Sequence, residues 1–439
     1  MPRTRLEASP QLEILLDGGR NSYDIGSTLS GRVVRNAPIV ASRAWLTVQL
    51  IGRTKSKMVV SRGQAGTSIY RGRFSLFSPT DTQVQLFDGP MHIAADGEAQ
   101  EWRFSIPVPR RPDAAAVATG NDQKFSYLPL GQRDIESQPL PPVFFTTGFF
   151  FTTTYECFVE YFVEAKLHIE SAGASEKVDR ATVPIAVVNP SVGDPTAEAE
   201  LARRSFLCRI RSYRFTQQDS GSLSVQQRTR AFFSSSKVPQ FAFSLQVEHP
   251  TAFRIDDMSP IPFKLQVFPD NVQTTEEIRN KAYPVTLTSM TFEIKSCMNL
   301  ICRGTLSPHT SDQTLKFGVD AKSAIDQLSE PIVLPSGVKA EPLDVGALLN
   351  LSLGQAHQVS HKPFSRRKRQ LYLSFSTFNI KYTHKLKWSV TVSTIGESTE
   401  VSNEVGVVLL PGQDSELPPY VECLEPPSPV DKKELRCDA

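Results

Sequence analysis

Two pairs of residues in the sequence have spacings that occur in metal sites. His357 and His361 are four residues apart, and Cys297 and Cys302 are five apart. A structural zinc site needs four such ligands, and neither pair has a second pair at a suitable spacing. The residues around the two histidines, 354–363, show no clear helical pattern. We therefore predict no metal site.

The sequence lacks the motifs of common catalytic and cofactor sites. It has no G-x-S-x-G, no phosphate-binding G-K-[ST] loop, no G-x-G-x-x-G after a strand and no H-E-x-x-H. We therefore predict no catalytic residues, no cofactor and no enzymatic activity. Carboxylates that folding brings together from distant positions leave no such motif, so a hydrolase or a lectin remains an alternative.

A proline motif near the end of the sequence has the chemistry of a partner-binding site. Leu417, Pro418, Pro419 and Tyr420 follow Glu416 and form a variant of the P-P-x-Y motif with leucine at its first position. Consecutive prolines favour polyproline II at little entropic cost, and the aromatic groove of a WW domain binds such prolines and the tyrosine ring. The motif predicts binding to a WW domain. A chance match in a proline-rich segment is the alternative.

Basic residues form a second candidate site, for anionic lipid or a phosphorylated partner. Four consecutive basic residues are followed by three lysines that share one face of a predicted strand. The positions are Arg366, Arg367, Lys368, Arg369, Lys381, Lys385 and Lys387. Each cation close to an anionic membrane contributes about 1 kcal/mol to binding. A solvated loop and a nuclear localisation signal are the alternatives.

Five phenylalanines flank a polar segment, Thr146 to Gly148, that is typical of a hairpin turn. They are Phe144, Phe145, Phe149, Phe150 and Phe151. We expect the rings to be buried against a sheet. The alternative is a loop that touches a membrane, because exposed aromatic patches of this size usually have a binding partner.

The elements that would position these residues are predominantly β-strands. From Thr377 to Val392, apolar or ring-bearing side chains occupy every even position and polar ones every odd position, which is the period of a half-buried strand. A register slip of one residue would bury three lysines. Residues 157–169 also alternate, and each segment precedes a polar break and another strand-like run. These similar halves predict two related β-sandwich domains.

Length and composition are those of a folded protein with two domains or one large one. The chain has 439 residues, of which 40 % are hydrophobic, and a net charge of +2. This charge creates no general field for nucleic acid, so we predict no nucleic-acid partner. The six cysteines form no disulfide framework, residues 1–16 lack the apolar core of a signal peptide, and no apolar run reaches membrane-helix length. We expect a cytoplasmic protein.

Changes in composition predict the domain boundaries. Strand patterns indicate one domain over 10–189, with a long loop at 110–142, and a second over 205–411. Prolines and a glycine predict a linker over 190–204, with a short helical link from 196. The proline-rich residues 412–439 are predicted to be a disordered tail.

Five segments in this order resemble sequences of one known family. They are Gly26 to Val33, Leu46 to Gly52, Trp102 to Pro109, Tyr155 to Ala165 and Thr377 to Trp388. Their succession resembles the arrestin-like proteins, in particular the fungal alpha-arrestin type, over about residues 10–410. The resemblance implies an all-β fold of two tandem immunoglobulin-like, arrestin-type β-sandwich domains.

The resemblance also implies a non-catalytic cytosolic adaptor. Combined with the proline motif, it implies a scaffold that links cytosolic tails of membrane transporters or receptors to a WW-domain HECT-type ubiquitin ligase, for ubiquitination and endocytic trafficking. Such a protein would be peripheral at the plasma membrane or endosomes, where an anionic membrane surface is a further expected partner. A coat-like subunit of an arrestin-related sorting complex is the alternative.

Overall fold

The computed structural model describes residues 5–9, 11–95, 97–170, 177–188, 201–216, 238–255, 258–279, 281–353, 357–358 and 371–410. These residues form mostly β-strands with a few short helices, which confirms the all-β character predicted from the alternating patterns. The chain divides into two compact units between Pro190 and Ser191.

The first unit contains ten strands and three short α-helices among its described residues. The strands are β1 (Glu13–Leu16), β2 (Ser22–Asp24), β3 (Thr28–Arg35), β4 (Ile39–Ser61), β5 (Thr67–Ser75), β6 (Gln83–Ile93), β7 (Gln100–Pro107), β8 (Phe144–Phe150), β9 (Thr153–Glu170) and β10 (Lys177–Val188). The helices are α1 (Pro79–Thr82), α2 (Ala114–Ala118) and α3 (Gln132–Ser137). One sheet has the order β1-β3-β7, and the other has the order β2-β10-β9-β4-β5, with β6 paired to β4 and β8 to β9.

The second unit contains twelve strands and two short α-helices among its described residues. The strands are β11 (Leu201–Arg211), β12 (Gln240–Pro250), β13 (Ala252–Arg254), β14 (Lys264–Pro269), β15 (Thr286–Cys302), β16 (His309–Val319), β17 (Ile332–Val333), β18 (Leu343–Asp344), β19 (His357–Gln358), β20 (Phe375–Ser376), β21 (Ile380–Thr394) and β22 (Glu397–Leu410). The helices are α4 (Ala321–Asp326) and α5 (Val345–Leu348). The sheets have the orders β11-β12-β14-β18 and β13-β22-β21-β15-β16-β19, with β17 paired to β15 and β20 to β21.

The two units share a strand order. The path β12-β14-β18 corresponds to β1-β3-β7, and β13-β22-β21-β15-β16 corresponds to β2-β10-β9-β4-β5. In each unit a three-residue strand also pairs in parallel with the last strand, β2 with β10 and β13 with β22. Strand β11 is an addition at the edge of the second unit. The similar sequence patterns in the two halves therefore correspond to similar connections.

Strand β21 follows the alternation read from the sequence. Its even-numbered side chains, including Trp388, are buried, whereas Lys385 and Lys387 are exposed. The strand begins at Ile380 rather than at Thr377. The reason is a turn, in which the Thr377 N–H donates to the Ile380 carbonyl at 2.7 Å and the Ile380 N–H donates to the Thr377 hydroxyl at 3.0 Å.

A shared hydrophobic cluster joins the two sheets of the second unit. Trp388 on β21 is fully buried, and its ring meets Phe206 on β11 edge-on at a centroid distance of 5.3 Å. It also meets Phe263, just before β14, edge-on at 5.6 Å. Side chains from both sheets therefore bury their apolar area against each other, which is the main source of stability in such an arrangement.

The segment 110–142 of the first unit is folded, although its sequence shows no sustained period. Helices α2 and α3 bury Val117 and Ile135, each with 0 % exposure. The carboxylate of Asp113 caps α2 by accepting hydrogen bonds from the N–H groups of Ala115 and Ala116, at 2.7 and 3.2 Å. The expected long loop thus contains two helices, which are too short to produce a periodic pattern.

The predicted linker needs a correction at its end. Strand β11 begins at Leu201, so residues 201–204 belong to an edge strand and not to a linker or its helical link. The remainder of the predicted linker, residues 190–200, lies outside the described residues, as does the proline-rich tail.

Candidate functional site

The aromatic segment forms a hairpin, but its turn is not where the sequence suggested. Strand β8 pairs with β9 from Phe144, opposite Val159, to Phe150, opposite Thr153. The turn therefore lies at 151–152, and the predicted turn residues, 146–148, are inside the strand. The predicted hairpin is therefore present, but the predicted position of its turn is wrong.

A close contact explains why a glycine lies inside this strand. Gly148 pairs with Tyr155, and a Cβ added at Gly148 would lie 2.0 Å from the Tyr155 hydroxyl oxygen. The glycine therefore leaves room for a tyrosine ring across the strands. A Thr-Thr-Gly sequence resembles a turn, but here the glycine has a packing role.

The structure divides the predicted aromatic residues between the interior and the surface. Phe144 is buried with 1 % exposure, and Phe145 is half-buried. Phe149 and Phe151 are 68 % and 77 % exposed. Phe151 also has a φ of 51°, a left-handed conformation that costs energy in a bulky residue. The expectation that the rings are buried is therefore wrong for these two residues.

A second hairpin lies beside the aromatic one at the same end of the sheet. Strands β4 and β5 pair as far as Ser61 opposite Thr67, and the Ser61 N–H donates to the Thr152 carbonyl at 2.9 Å. Because β4 also pairs with β9, the four strands β5, β4, β9 and β8 are neighbours in one sheet. The two hairpin turns therefore form one tip, which we call the first-unit tip.

Directly paired residues share a face of the sheet, so the register defines three rows across the outer face. The rows, each written from β5 to β8, are Ile69, Val59, Thr154 and Phe149; Arg71, Lys57, Glu156 and Thr147; and Arg73, Lys55, Phe158 and Phe145. Of these three rows, the one nearest the turns is apolar apart from one threonine, and the polar Ser61–Thr67 pair of the same face lies closer still to the β4–β5 turn. The next two rows contain four cations and a single carboxylate. We call these three rows the outer tip face.

The cations of the outer tip face are accessible to different degrees. Arg71 and Arg73 are exposed, whereas Lys55 and Lys57 are half-buried. The Lys55 ammonium lies over the Phe158 ring, 5.6 Å from its centroid, which is a favourable cation–π contact. These four residues come from two strands and form no continuous basic run, so they leave no recognisable motif in the sequence.

A buried ion pair lies on the next row, away from the turns. Arg53 and Glu160 are hydrogen-bonded and have 7 % and 0 % exposure. The Arg53 guanidinium also lies over the Phe162 ring at 5.0 Å. Since a buried charge is costly without its partner, this pair fixes the position of β4 against β9.

The lysines predicted as a basic surface in the second unit are close to carboxylates. Lys385 lies 3.1 Å from Glu404, which also bonds Lys295. Lys387 pairs in the register with Glu293 on one side and Glu404 on the other. Hydrogen bonding to Glu404 raises the pKa of Lys385, and the hydrogen bonds from the two lysines lower the pKa of Glu404. Lys381, on the same strand face, is half-buried.

The other predicted site residues lie outside the described residues. They are Arg366, Arg367, Lys368, Arg369, Leu417, Pro418, Pro419 and Tyr420. Of Phe150, the structure describes only the backbone.

A serine–histidine pair lies inside the second unit. Ser296 on β15 and His384 on β21 are cross-strand partners, and the hydroxyl lies 2.9 Å from Nδ1 of the imidazole. Both are buried, with 0 % and 2 % exposure, and burial lowers the pKa of His384 to about 4. Nucleophilic catalysis by such a pair needs access for a substrate carbonyl. This pair is sealed in the sheet interior and acts there as a neutral hydrogen-bonded unit.

An open cleft of about 750 Å³ lies beside the segment 110–142. Its lining includes Arg111 and the carboxylates of Asp81, Asp113 and Glu136. Two of these carboxylates have structural contacts, because Asp113 caps α2 and Glu136 accepts a hydrogen bond from Gln132 at 2.9 Å. Two of the three carboxylates in the cleft are therefore explained by hydrogen bonds at α2 and α3.

The described residues contain neither a cluster of metal-ligating side chains nor a membrane-spanning helix. Within the described residues, no three His, Cys, Asp or Glu side chains are grouped so that they could hold one ion. Among the same residues, no helix is long and apolar enough to cross a membrane. The chain matches no family model, and no curated protein matches it.

Proposed function

We propose that this protein is an arrestin-like adaptor that links the cytosolic tail of a membrane protein to a WW-domain ubiquitin ligase of the HECT class. In this proposal, each unit is an immunoglobulin-like β-sandwich. The protein works in the cytoplasm, at the plasma membrane or endosomes. The observation that carries the proposal is the strand order shared by the two units.

The shared strand order supports the resemblance because it is independent of any single motif. A single strand motif occurs in many unrelated β-proteins and has low specificity. An arrestin-type protein, in contrast, requires two consecutive units that each contain two sheets. The parallel pairing of β2 with β10 and of β13 with β22 adds a second similarity between the units. The aromatic contacts of Trp388 with Phe206 and Phe263 support a sandwich in the second unit.

The proline motif supports the link to a ligase. The last strand, β22, ends at Leu410, and the motif follows at 417–420. In a WW complex, Pro418 and Tyr420 would occupy the groove, and Leu417 would replace the first proline. A short ligand that is only partly preorganised gives a Kd on the order of micromolar or weaker.

Binding of the purified chain to an isolated WW domain of a HECT ligase tests the proposal. Tyr420→Ala removes the aromatic anchor, and loss of such an anchor costs about 2 kcal/mol or more, which is about thirtyfold in Kd. The matched control replaces Pro426 and Pro427. This second proline pair is followed by a serine instead of a tyrosine. This control should keep the wild-type Kd in a fluorescence polarisation titration.

Two outcomes would contradict parts of the proposal. Equal affinity of the Tyr420→Ala and wild-type chains would remove the ligase link. Recovery of the chain from cells in a stable complex of fixed stoichiometry would favour the coat-like subunit, since an adaptor associates transiently with its ligase and cargo.

A further inference from the structure

The first-unit tip combines exposed apolar side chains with cations on the adjacent outer face. Phe149 and Ile69 belong to the outermost row of the outer tip face and are 68 % and 46 % exposed. Phe151, in the turn itself, is 77 % exposed. Exposed aromatic and aliphatic groups on one surface usually indicate a binding site.

The distance between rows follows from strand geometry. Residues two positions apart along a strand are separated by about 7 Å. The row of Arg71 and Lys57 is thus about 7 Å behind the apolar row, and the row of Arg73 and Lys55 is about 14 Å behind it. Interfacial apolar groups enter a bilayer to a depth of about 5–10 Å. When the sheet is tilted so that the β8–β9 turn enters to that depth and the polar β4–β5 turn, 62–66, stays outside, the first cation row lies at the level of the lipid headgroups.

The two exposed arginines of this face, Arg71 and Arg73, are poorly compensated. The two cation rows contain Arg71, Arg73, Lys55 and Lys57 but only one carboxylate, Glu156. No carboxylate of the described residues forms an ion pair with Arg71 or Arg73. The lysine-bearing face of β21 differs, because Glu293 and Glu404 lie between its lysines.

We propose that the outer tip face binds a membrane surface that contains anionic lipids. Phe149, Phe151 and Ile69 enter the boundary between headgroups and acyl chains, Arg71 and Lys57 lie at the headgroups, and Arg73 and Lys55 attract the headgroup charges from the row behind. The proposal concerns a different part of the chain from the proline motif and does not depend on ligase binding.

A membrane fits this combination of groups better than a phosphorylated peptide does. A phosphopeptide would use the cations but would leave the exposed rings at the turns in water. An anionic bilayer accepts both, because it offers negative headgroups and an apolar layer at the spacing of the rows. The second cation row, about 14 Å from the apolar row, remains within a Debye length of the headgroup charges at physiological salt.

Cosedimentation of the full chain with phosphatidylcholine vesicles, with and without phosphatidylserine, tests the proposal. Replacing Arg71 and Arg73 by glutamine should weaken binding to the phosphatidylserine vesicles about thirtyfold, which corresponds to ~1 kcal/mol for each cation. It should also flatten the salt dependence of binding. The matched control replaces Lys385 and Lys387 by glutamine, which removes the same charge from the compensated face and should leave binding unchanged.

Two further variants separate charge, apolar contact and folding. Arg71→Lys with Arg73→Lys keeps the charge and should retain binding, so a loss there would point to damaged structure. Phe149→Ser should weaken binding to the same vesicles while leaving the circular dichroism spectrum unchanged, because the ring is exposed in the free protein.

Three results would overturn the proposal. One is a wild-type chain that does not bind phosphatidylserine vesicles. Another is equal weakening by the arginine variant and the lysine control. The third is unchanged vesicle binding by the arginine variant together with lost binding to a phosphoserine peptide, which would assign the face to a phosphorylated protein partner.

Discussion

Replacing Trp388 by alanine should destabilise the second unit by about 4 kcal/mol. Loss of a buried Phe or Trp side chain in a core costs about 3–5 kcal/mol, because the transfer energy is lost and a cavity remains. Trp388 is fully buried and makes two edge-on aromatic contacts, with Phe206 and Phe263. Such contacts add about 0.5–1.5 kcal/mol each beyond area burial, so we expect a cost above the lower end of this range.

Urea unfolding followed by far-ultraviolet circular dichroism measures this cost. The matched control is Lys387→Ala, one residue away on the opposite, exposed face of the same strand, which should change the free energy of unfolding by less than about 0.5 kcal/mol. Hydrogen exchange should locate the effect in β11, β14 and β21, which carry or adjoin the three rings. Equal stability of the two variants would refute the register of β21 and the packing of the two sheets around this ring.

Two further predictions concern pH and the aromatic hairpin. In the unfolded chain His384 is protonated near its ordinary pKa of 6.5, whereas in the folded chain its pKa is about 4. The free energy of unfolding should therefore fall by about 3 kcal/mol as the pH is lowered from 6.5 to 4. Urea titrations at several pH values should show a smaller fall for His384→Gln. Gly148→Ala should cost about 1–3 kcal/mol because the new Cβ would meet the Tyr155 hydroxyl at 2.0 Å. Gly406→Ala should be tolerated, since nothing lies within 4 Å of a Cβ there, and equal thermal stability of these two glycine variants would contradict the β8–β9 register.

The sequence was sufficient for the elements with a long, regular alternation. The alternating side chains of β21 predicted which face is buried, and the structure buries Leu386 and Trp388 while exposing Lys385 and Lys387. This prediction succeeds because a register slip of one residue would bury the charged side chains of the strand. The cost of such a slip depends on residues of that strand, which can be read from the sequence. The all-β character follows from the same patterns.

Short and irregular elements were beyond such reasoning. Helices α2 and α3 have five and six residues, which is too few for a recognisable period, and their stability comes from burial of Val117 and Ile135. The turn at 151–152 contains neither Gly nor Asn, whereas Thr146 to Gly148 resembles a turn. The decisive contact, between Gly148 and Tyr155, exists only after β8 and β9 have paired.

The charge pattern of the candidate sites was decided by tertiary structure alone. Along the chain, Lys385 and Lys387 resemble part of a basic surface, but pairing with β15 and β22 places Glu293 and Glu404 beside them. Arg71 and Arg73 are two of several scattered cations in the sequence, and pairing with β4 sets them next to Lys57 and Lys55. A strand pattern determines which face a side chain occupies because that depends on its own neighbours in sequence. Which charges share that face depends on the register between strands that are distant in the chain, and only folding sets it.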